Sequence, residues 1–75
     1  MVKRRVIFTF SVEIIREPII YTLSQQFNVV TNILRADISE NSGWIVIELD
    51  GTNKDIEQCI DWVIGRGIRV DPIDE

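Results

Sequence analysis

The sequence predicts an α+β fold in which two helices cover one face of a four-stranded antiparallel sheet. Two features carry this prediction. Strand-type and helix-type hydrophobic periods follow each other in the order β-α-β-β-α-β, and a short polar turn joins the two middle strands. The 75 residues suffice for one domain, which we place over residues 1–75. Hydrophobic residues make up 45% of the chain, which is enough to fill a small core and leave apolar surface for a partner.

The first strand and first helix are predicted from a change in hydrophobic period. Over residues 5–12, apolar side chains occupy alternate positions, as in a strand with one buried face. Glu17-Pro18 then predicts a helix start, with Pro18 at the first helical position, where its missing N–H costs nothing. Helical spacing continues to Phe27, and Asn28 is predicted to end the helix in the left-handed conformation.

The second half of the chain is predicted to contain a hairpin, a helix and a last strand. Strands over residues 29–38 and 44–49 flank the polar turn. Thr52 is the predicted N-cap of a helix over residues 53–64, which Gly65-Arg66-Gly67 ends. A short strand from Ile68 follows, with Pro72 at its end or on an edge. With right-handed crossovers, this order is that of the ferredoxin-like sandwich.

Composition argues against several functional classes. The net charge of −4 disfavours nucleic-acid binding, and the basic cluster Lys3-Arg4-Arg5 is interpreted as a solvated strand start or, alternatively, an anion contact. Cys59 is the only cysteine and the chain has no histidine, so we expect no metal site, disulfide or cofactor within one chain. On its helix, Cys59 is predicted to be a small buried apolar residue. The sequence has no membrane-spanning stretch and no signal peptide, which predicts a cytoplasmic protein.

Two of the predicted strands have apolar residues on both faces. Strict alternation places Ile45, Ile47 and Leu49 opposite Trp44 and Val46 in one strand, and Leu34, Ala36 and Ile38 opposite Ile33 and Val29 in the other. Ordinary partial exposure is one explanation, because apolar atoms contribute over half of a typical protein surface. The other is an interface that contains Ile33, Trp44 and Val46, since Trp is enriched in binding hot spots.

Asn32 is unusual because asparagine is disfavoured inside strands, where its side chain competes for backbone hydrogen bonds. It occupies an edge position with its amide in water, or it binds a ligand. An amide both donates and accepts, so it suits the ammonium or carboxylate group of a small zwitterion.

Several short motifs together carry a family resemblance over essentially the whole chain. They are the Glu17-Pro18 helix start, the Phe27-Asn28-Val29 passage, Asn32-Ile33-Leu34, the Gly51 turn, Trp62 late in the second helix, and the Gly67-Ile68-Arg69-Val70 finish. None is specific alone, but in this order and spacing they resemble the NIL domain.

The resemblance implies a regulatory role. NIL domains are ferredoxin-like modules at the C-terminus of the ATPase subunits of methionine importers, where they pair with each other and bind methionine, which restrains uptake. The motif asparagine takes part in ligand binding there and matches Asn32 here. Other NIL domains are fused to ferredoxin domains and are associated with sulfur amino-acid metabolism.

The leading hypothesis is therefore a homodimeric sensing module that binds methionine or a related amino acid through Asn32, Ile33 and Leu34, with Trp44 as a further apolar contact. The chain starts at Met1 and contains no ATPase domain, Walker motif or cluster cysteines. We therefore expect a free-standing copy that acts in trans on a transporter or enzyme. The alternative is an interaction module that docks a sulfur-metabolism protein and binds no small molecule.

Other functions on the same fold are disfavoured. An acylphosphatase-like enzyme needs a Gly-rich phosphate loop after the first strand, whereas residues 11–17 contain no glycine, so we expect no enzymatic activity. An ACT-type amino-acid sensor also normally carries glycine in this loop and is the nearest competitor. An RNA-recognition domain needs paired aromatic residues on its central strands, which are not evident here.

Overall fold

A computed structural model of the chain describes residues 1–73 and, at positions 12 and 15, the backbone alone. The strands are β1 (Val2–Ser11), β2 (Val30–Ile38), β3 (Ser42–Gly51) and β4 (Arg69–Pro72), and the helices are α1 (Val12–Ile15), α2 (Ile19–Gln26) and α3 (Asn53–Gly65). The four strands form one antiparallel sheet in the order β2-β3-β1-β4. With α2 and α3 as its two crossover helices, this is the predicted ferredoxin-like sandwich, and the fold prediction is confirmed.

β1 lies between β3 and β4 and buries one apolar face against the helices. Val6 and Phe8, on the face that the helices cover, are both buried. All ten residues of β1 pair with β3, so the strand starts earlier than the predicted residues 5–12 and ends one residue sooner. β4 pairs with the other side of β1 and ends at Pro72, at the sheet edge, where a missing N–H is tolerated.

A β-bulge in β2 shows that strict alternation was wrong for this strand. The register shifts directly after Ile33, and Leu34 is the extra residue. As a result, Ile33 shares the helix-covered face with Ala36 and Ile38 instead of opposing them, because all three pair with β3 positions that face the helices. Val29, predicted on the same face as Ile33, lies one residue before the strand begins. Its side chain is buried.

α2 differs from its prediction at both ends. A separate helical turn, α1, precedes it, and Pro18 is the N-cap rather than the first helical residue. At the other end, Phe27 already has extended dihedral angles (φ −120°, ψ 148°) and leads directly towards β2. Asn28 therefore does not end the helix in the left-handed conformation, and within residues 1–73 only Gly67 has a positive φ.

α3 starts at the predicted residue and ends at Gly65, one residue later than predicted. The hydroxyl oxygen of Thr52 accepts a hydrogen bond from the backbone N–H of Asp55 at 3.1 Å, which caps one of the unpaired donors of the first turn. At the C-terminal end, Gly67 has a φ of 88° and donates its N–H to the carbonyl of Ile64 at 3.0 Å. Glycine suits this position because its missing Cβ removes the clash that disfavours positive φ.

The core lies between the sheet and the two main helices. Its fully buried members include the side chains of Phe8, Leu23, Ile47, Leu49, Ile56 and Val63. Each such side chain contributes roughly 1.5–3 kcal/mol of transfer free energy. The opposite face of the sheet has no helix over it in the described part of the chain, and we call it the open face.

Candidate functional site

The predicted ligand residues Asn32, Ile33 and Leu34 lie in the middle of β2, at the edge of the sheet. Eight of the nine β2 residues are exposed, and the outer side of the strand has no neighbouring strand among residues 1–73. Asn32 pairs with Glu48 and lies on the open face, whereas Ile33 pairs with Ile47 and lies on the helix-covered face. The structure therefore places these neighbouring side chains on opposite faces.

An apolar cavity of about 200 Å³ lies on the helix-covered face beside β2, and we call it the β2 cavity. Its wall is formed mainly by Phe8, Phe10, Ile20, Ile33, Ile38 and Ile45. α2 has only eight residues, and Ile33 and Ile38 remain 50% and 58% exposed although they face the helix layer. Glu17, two residues before the start of α2, is the one charged residue in the lining.

A second, more polar depression of about 250 Å³ lies beside the first, between the start of α2 and the end of α3. We call it the Trp62 cleft; Glu17, Thr22, Gln26, Trp62 and Arg66 are among its lining residues. Glu17 therefore borders both depressions.

An ion pair, a cation–π contact and a contact between two tilted rings connect the side chains around the Trp62 cleft. Nη2 of Arg66 donates a hydrogen bond to Oε2 of Glu17. The guanidinium carbon of Arg66 lies 5.8 Å from the centroid of the Trp62 ring, in cation–π range. Trp62 also contacts Phe27, with the ring centroids 6.0 Å apart and the rings tilted at 59°.

Trp44 and Val46, two of the three predicted interface residues, lie on the open face. Trp44 is 37% exposed, whereas Val46 is only 2% exposed although no helix covers it. Ile7 pairs with Val46 across the sheet, and the Arg5–Glu48 ion pair at 3.1 Å lies on the same face. Because Ile33, the third predicted residue, lies on the other face, one flat contact surface cannot contain all three.

The basic cluster and the single cysteine are accounted for by packing and pairing. Arg4 pairs with Glu57 of α3 at 2.8 Å, and Arg5 pairs on the open face, which favours the solvated-strand interpretation over an anion contact. Burial raises the pKa of the Cys59 thiol from 9.0 to about 11, so this residue is a protonated core side chain at neutral pH. No cluster of three or more His, Cys, Asp or Glu side chains occurs in residues 1–73, and no helix there is long and apolar enough to span a membrane.

Sequence reasoning missed the Glu17–Arg66 pair. In the sequence, Glu17 belongs to the pattern of a helix start and Arg66 to the pattern of a helix end. The two residues are 49 positions apart, and no local pattern signals that the two helix ends meet.

Comparison with known proteins gives a similar solved structure and a matching family. The chain is similar to the crystal structure of the C-terminal domain of an ABC transporter ATP-binding protein from Enterococcus faecalis, with a TM-score of 0.81 and 20% identity over 96% of this chain and 84% of that one. Such a likeness shows the shared fold. The comparison with curated proteins gives no match. The NIL domain, which is not an enzyme family, matches residues 4–72. The chain belongs to the NIL domain family.

Proposed function

We propose that this NIL domain is a regulatory module that binds methionine or a related amino acid and works as a homodimer. The observation that carries the proposal is the β2 cavity, which Ile33 of the family motif lines directly. Ile33 is the proposed contact inside the cavity, and Asn32 and Leu34, on the same exposed edge strand, are the proposed contacts outside it. The partner would be a transporter ATPase or a protein of sulfur amino-acid metabolism on the cytoplasmic side.

The size and chemistry of the β2 cavity support a small apolar group as its occupant. An apolar cavity of about 150 Å³ is known to admit a benzene-sized molecule, so about 200 Å³ accommodates a short unbranched side chain. A thioether suits such a wall because its sulfur is a polarisable, weak acceptor that loses little on leaving water.

The exposed edge of β2 supports pairing with a second copy. No strand lies beside the outer edge of β2 in residues 1–73, so backbone groups of alternate residues point outwards there, and Val30 and Ile33 add exposed apolar side chains on its two faces. Long apolar edge strands are ready templates for further strand pairing. A two-fold pairing of β2 with its own copy satisfies both edges at once, as isologous interfaces do.

Calorimetric titration and thermal unfolding with methionine test the proposal. We expect heat on titration and stabilisation by about 2.7 kcal/mol at 100 times the dissociation constant. Ile33→Asp should abolish the stabilisation, whereas Val30→Asp, on the same strand but the opposite face, should preserve it. Absence of heat and of any thermal shift at millimolar methionine would refute ligand binding. Sedimentation equilibrium tests the dimer, and a monomer at high protein concentration would refute that part.

The exposed Trp44 favours a second candidate function, a docking module without a small-molecule ligand. A large aromatic residue on a helix-free sheet face is a typical anchor for a protein partner. Binding to a purified transporter ATPase or sulfur-metabolism enzyme should then survive Asn32→Ala and fail with Trp44→Ala. The opposite pattern would favour the ligand-binding proposal.

A further inference from the structure

We infer that the outer edge of β2 docks an extended segment of a partner protein, which adds a strand to the sheet and places one apolar side chain in the β2 cavity. The inference rests on one part of the proposed function, namely that the domain acts on another protein. It says where that partner is held and by what chemistry, and it assigns no role to a bound amino acid.

The two edges of the sheet differ in how well they can accept a further strand. β4, at one edge, has only four residues, ends at Pro72 and carries an ion pair between Arg69 and Asp71. Short length, proline and charge are features by which proteins protect edge strands. β2, at the other edge, has nine residues, no proline and no neighbouring strand among residues 1–73. Strand addition is therefore expected at β2.

The bulge in β2 interrupts this edge without removing it. Pairing with β3 is regular on both sides of Leu34, over residues 30–33 and 35–38. Along each regular stretch, the backbone groups of alternate residues point away from β3. An incoming strand can therefore form hydrogen bonds with the edge on either side of the bulge.

The β2 cavity adjoins the same edge on the helix-covered face. Ile33 and Ile38 of β2 line it, and both are about half exposed. Side chains of neighbouring strands on one face lie side by side, so every second side chain of an added strand lies along this apolar wall. About 200 Å³ accommodates one side chain of the size of leucine or phenylalanine. Backbone hydrogen bonds then supply affinity and the cavity supplies selectivity, as in other strand-addition complexes.

The exposed charges at the end of β2 favour a basic segment. Asp37 lies on the open face of β2 and Glu40 lies in the turn that follows, and both residues are exposed. Neither carboxylate has an ion-pair partner in the described part of the chain. The net charge of −4 also attracts a positively charged segment. The occupant is therefore an extended segment with apolar side chains on one face and lysine or arginine on the other.

The probe is a synthetic peptide with capped ends and nine residues, the length of β2. Threonine and lysine alternate along it, and leucine replaces the central threonine. In an NMR titration of the isotope-labelled protein, the amides of Val30–Ile38 should shift and those of Arg69–Pro72 should not. Serine in place of the central leucine should weaken binding roughly tenfold, because a leucine is lost from the cavity.

Backbone methylation of the peptide tests strand pairing directly. Successive N–H groups of a strand point to opposite sides, so N-methylation of one alternate set of residues should abolish binding and N-methylation of the other set should preserve it. A segment that only inserts a side chain into the cavity would tolerate both sets equally.

A charge exchange tests the basic character of the segment. Asp37→Lys should weaken binding of the lysine peptide about threefold, the effect of one exposed ion pair, and should strengthen binding of a peptide with glutamate in place of lysine. Asp61→Lys makes the same charge change at an exposed position of α3 and is the matched control, which should leave both affinities nearly unchanged.

Three results would overturn the inference: no binding at millimolar peptide, amide shifts confined to β4 or the open face, or equal binding of the two methylated sets. Methionine titrations of the same samples separate it from the proposed function. A protein that binds methionine but not the peptide keeps the ligand and loses this docking site. A protein that binds the peptide but not methionine keeps the docking site and loses the ligand.

Discussion

The two halves of the helix layer cover the sheet to very different extents. On the inner face of α3, Ile56, Cys59 and Val63 are completely buried. Beside α2, Ile33 and Ile38 remain half exposed and border the β2 cavity. α2 also buries Leu23, but part of the sheet beside it stays uncovered, whereas the inner face of α3 is fully covered.

Helix length and capping explain the difference. α3 has 13 residues and a side-chain cap from Thr52, whereas α2 has 8 residues and Pro18 at its N-cap provides no side-chain hydrogen bond. At 1.5 Å per residue, α3 is about 20 Å long and α2 only about 12 Å. A very small domain can therefore bury most of its apolar surface against one long helix. The shorter helix then leaves space for a ligand beside it.

The largest effect on stability is expected when one isoleucine from each half of the helix layer is replaced by alanine. Ile56→Ala leaves a cavity on the inner face of α3 and should lower the free energy of unfolding by roughly 2–5 kcal/mol. Ile33→Ala removes a half-exposed side chain and should cost less than about 1 kcal/mol. Urea denaturation measures both, and equal losses would contradict the comparison.

The buried thiol under α3 should make stability depend on alkaline pH. Because burial raises the pKa of Cys59 from 9.0 to about 11, the unfolded chain loses this proton first as pH rises. The stabilising contribution is fully present below pH 9 and is lost progressively as pH rises towards 11, by at most roughly 2.7 kcal/mol. Thermal unfolding at pH 8 and pH 10.5 measures the loss. Cys59→Ala should reduce this loss of stability. If the variant kept the full pH dependence, the loss would arise from other titrating groups.

The capping contrast predicts a smaller effect. Thr52→Ala removes the hydrogen bond to the N–H of Asp55 and should destabilise the protein by about 1 kcal/mol. Thr52→Gly should cost only about a few tenths of a kcal/mol, since glycine is nearly as favourable as threonine at an N-cap. Denaturation midpoints measure both. A Thr52→Ala variant with wild-type stability would show that the α3 cap is not needed.

Filling the space beside α2 should have the smallest effect on stability, and it should be favourable. In Ile38→Phe, the larger ring can enter the β2 cavity and should add roughly 0.5–1 kcal/mol. The matched control is Ile64→Phe, at a similarly exposed residue of α3, which should change stability by less than about 0.5 kcal/mol. Thermal unfolding without ligand compares the two. Destabilisation by Ile38→Phe alone would indicate that the cavity cannot accept a ring.

Much of the fold was predictable from local patterns. Alternation identified β1 and β3, Thr52 and Gly67 marked the ends of α3, and the polar turn established the hairpin. The errors fall where local signals are weak. The β2 bulge is invisible in the sequence because Ile33 and Leu34 are both apolar, so nothing shows where one residue is skipped.

The candidate site was less predictable than the fold. The motif strand pointed to Ile33, which lines the β2 cavity, but not to the opposite placement of Asn32. Glu17 and Arg66 escaped notice because ion pairs between distant helix ends depend on helix packing and not on spacing along the chain.

The sequence by itself determined the element order, the buried stripe of α3 and the resemblance to a family, because periodicity, caps and motifs are local properties of the chain. Only the tertiary structure decided which face of β2 each motif residue occupies, and that α2 leaves a cavity beside that strand. Those features depend on a one-residue register shift and on how far a helix reaches across the sheet. Both are settled by packing between segments that are distant in the chain.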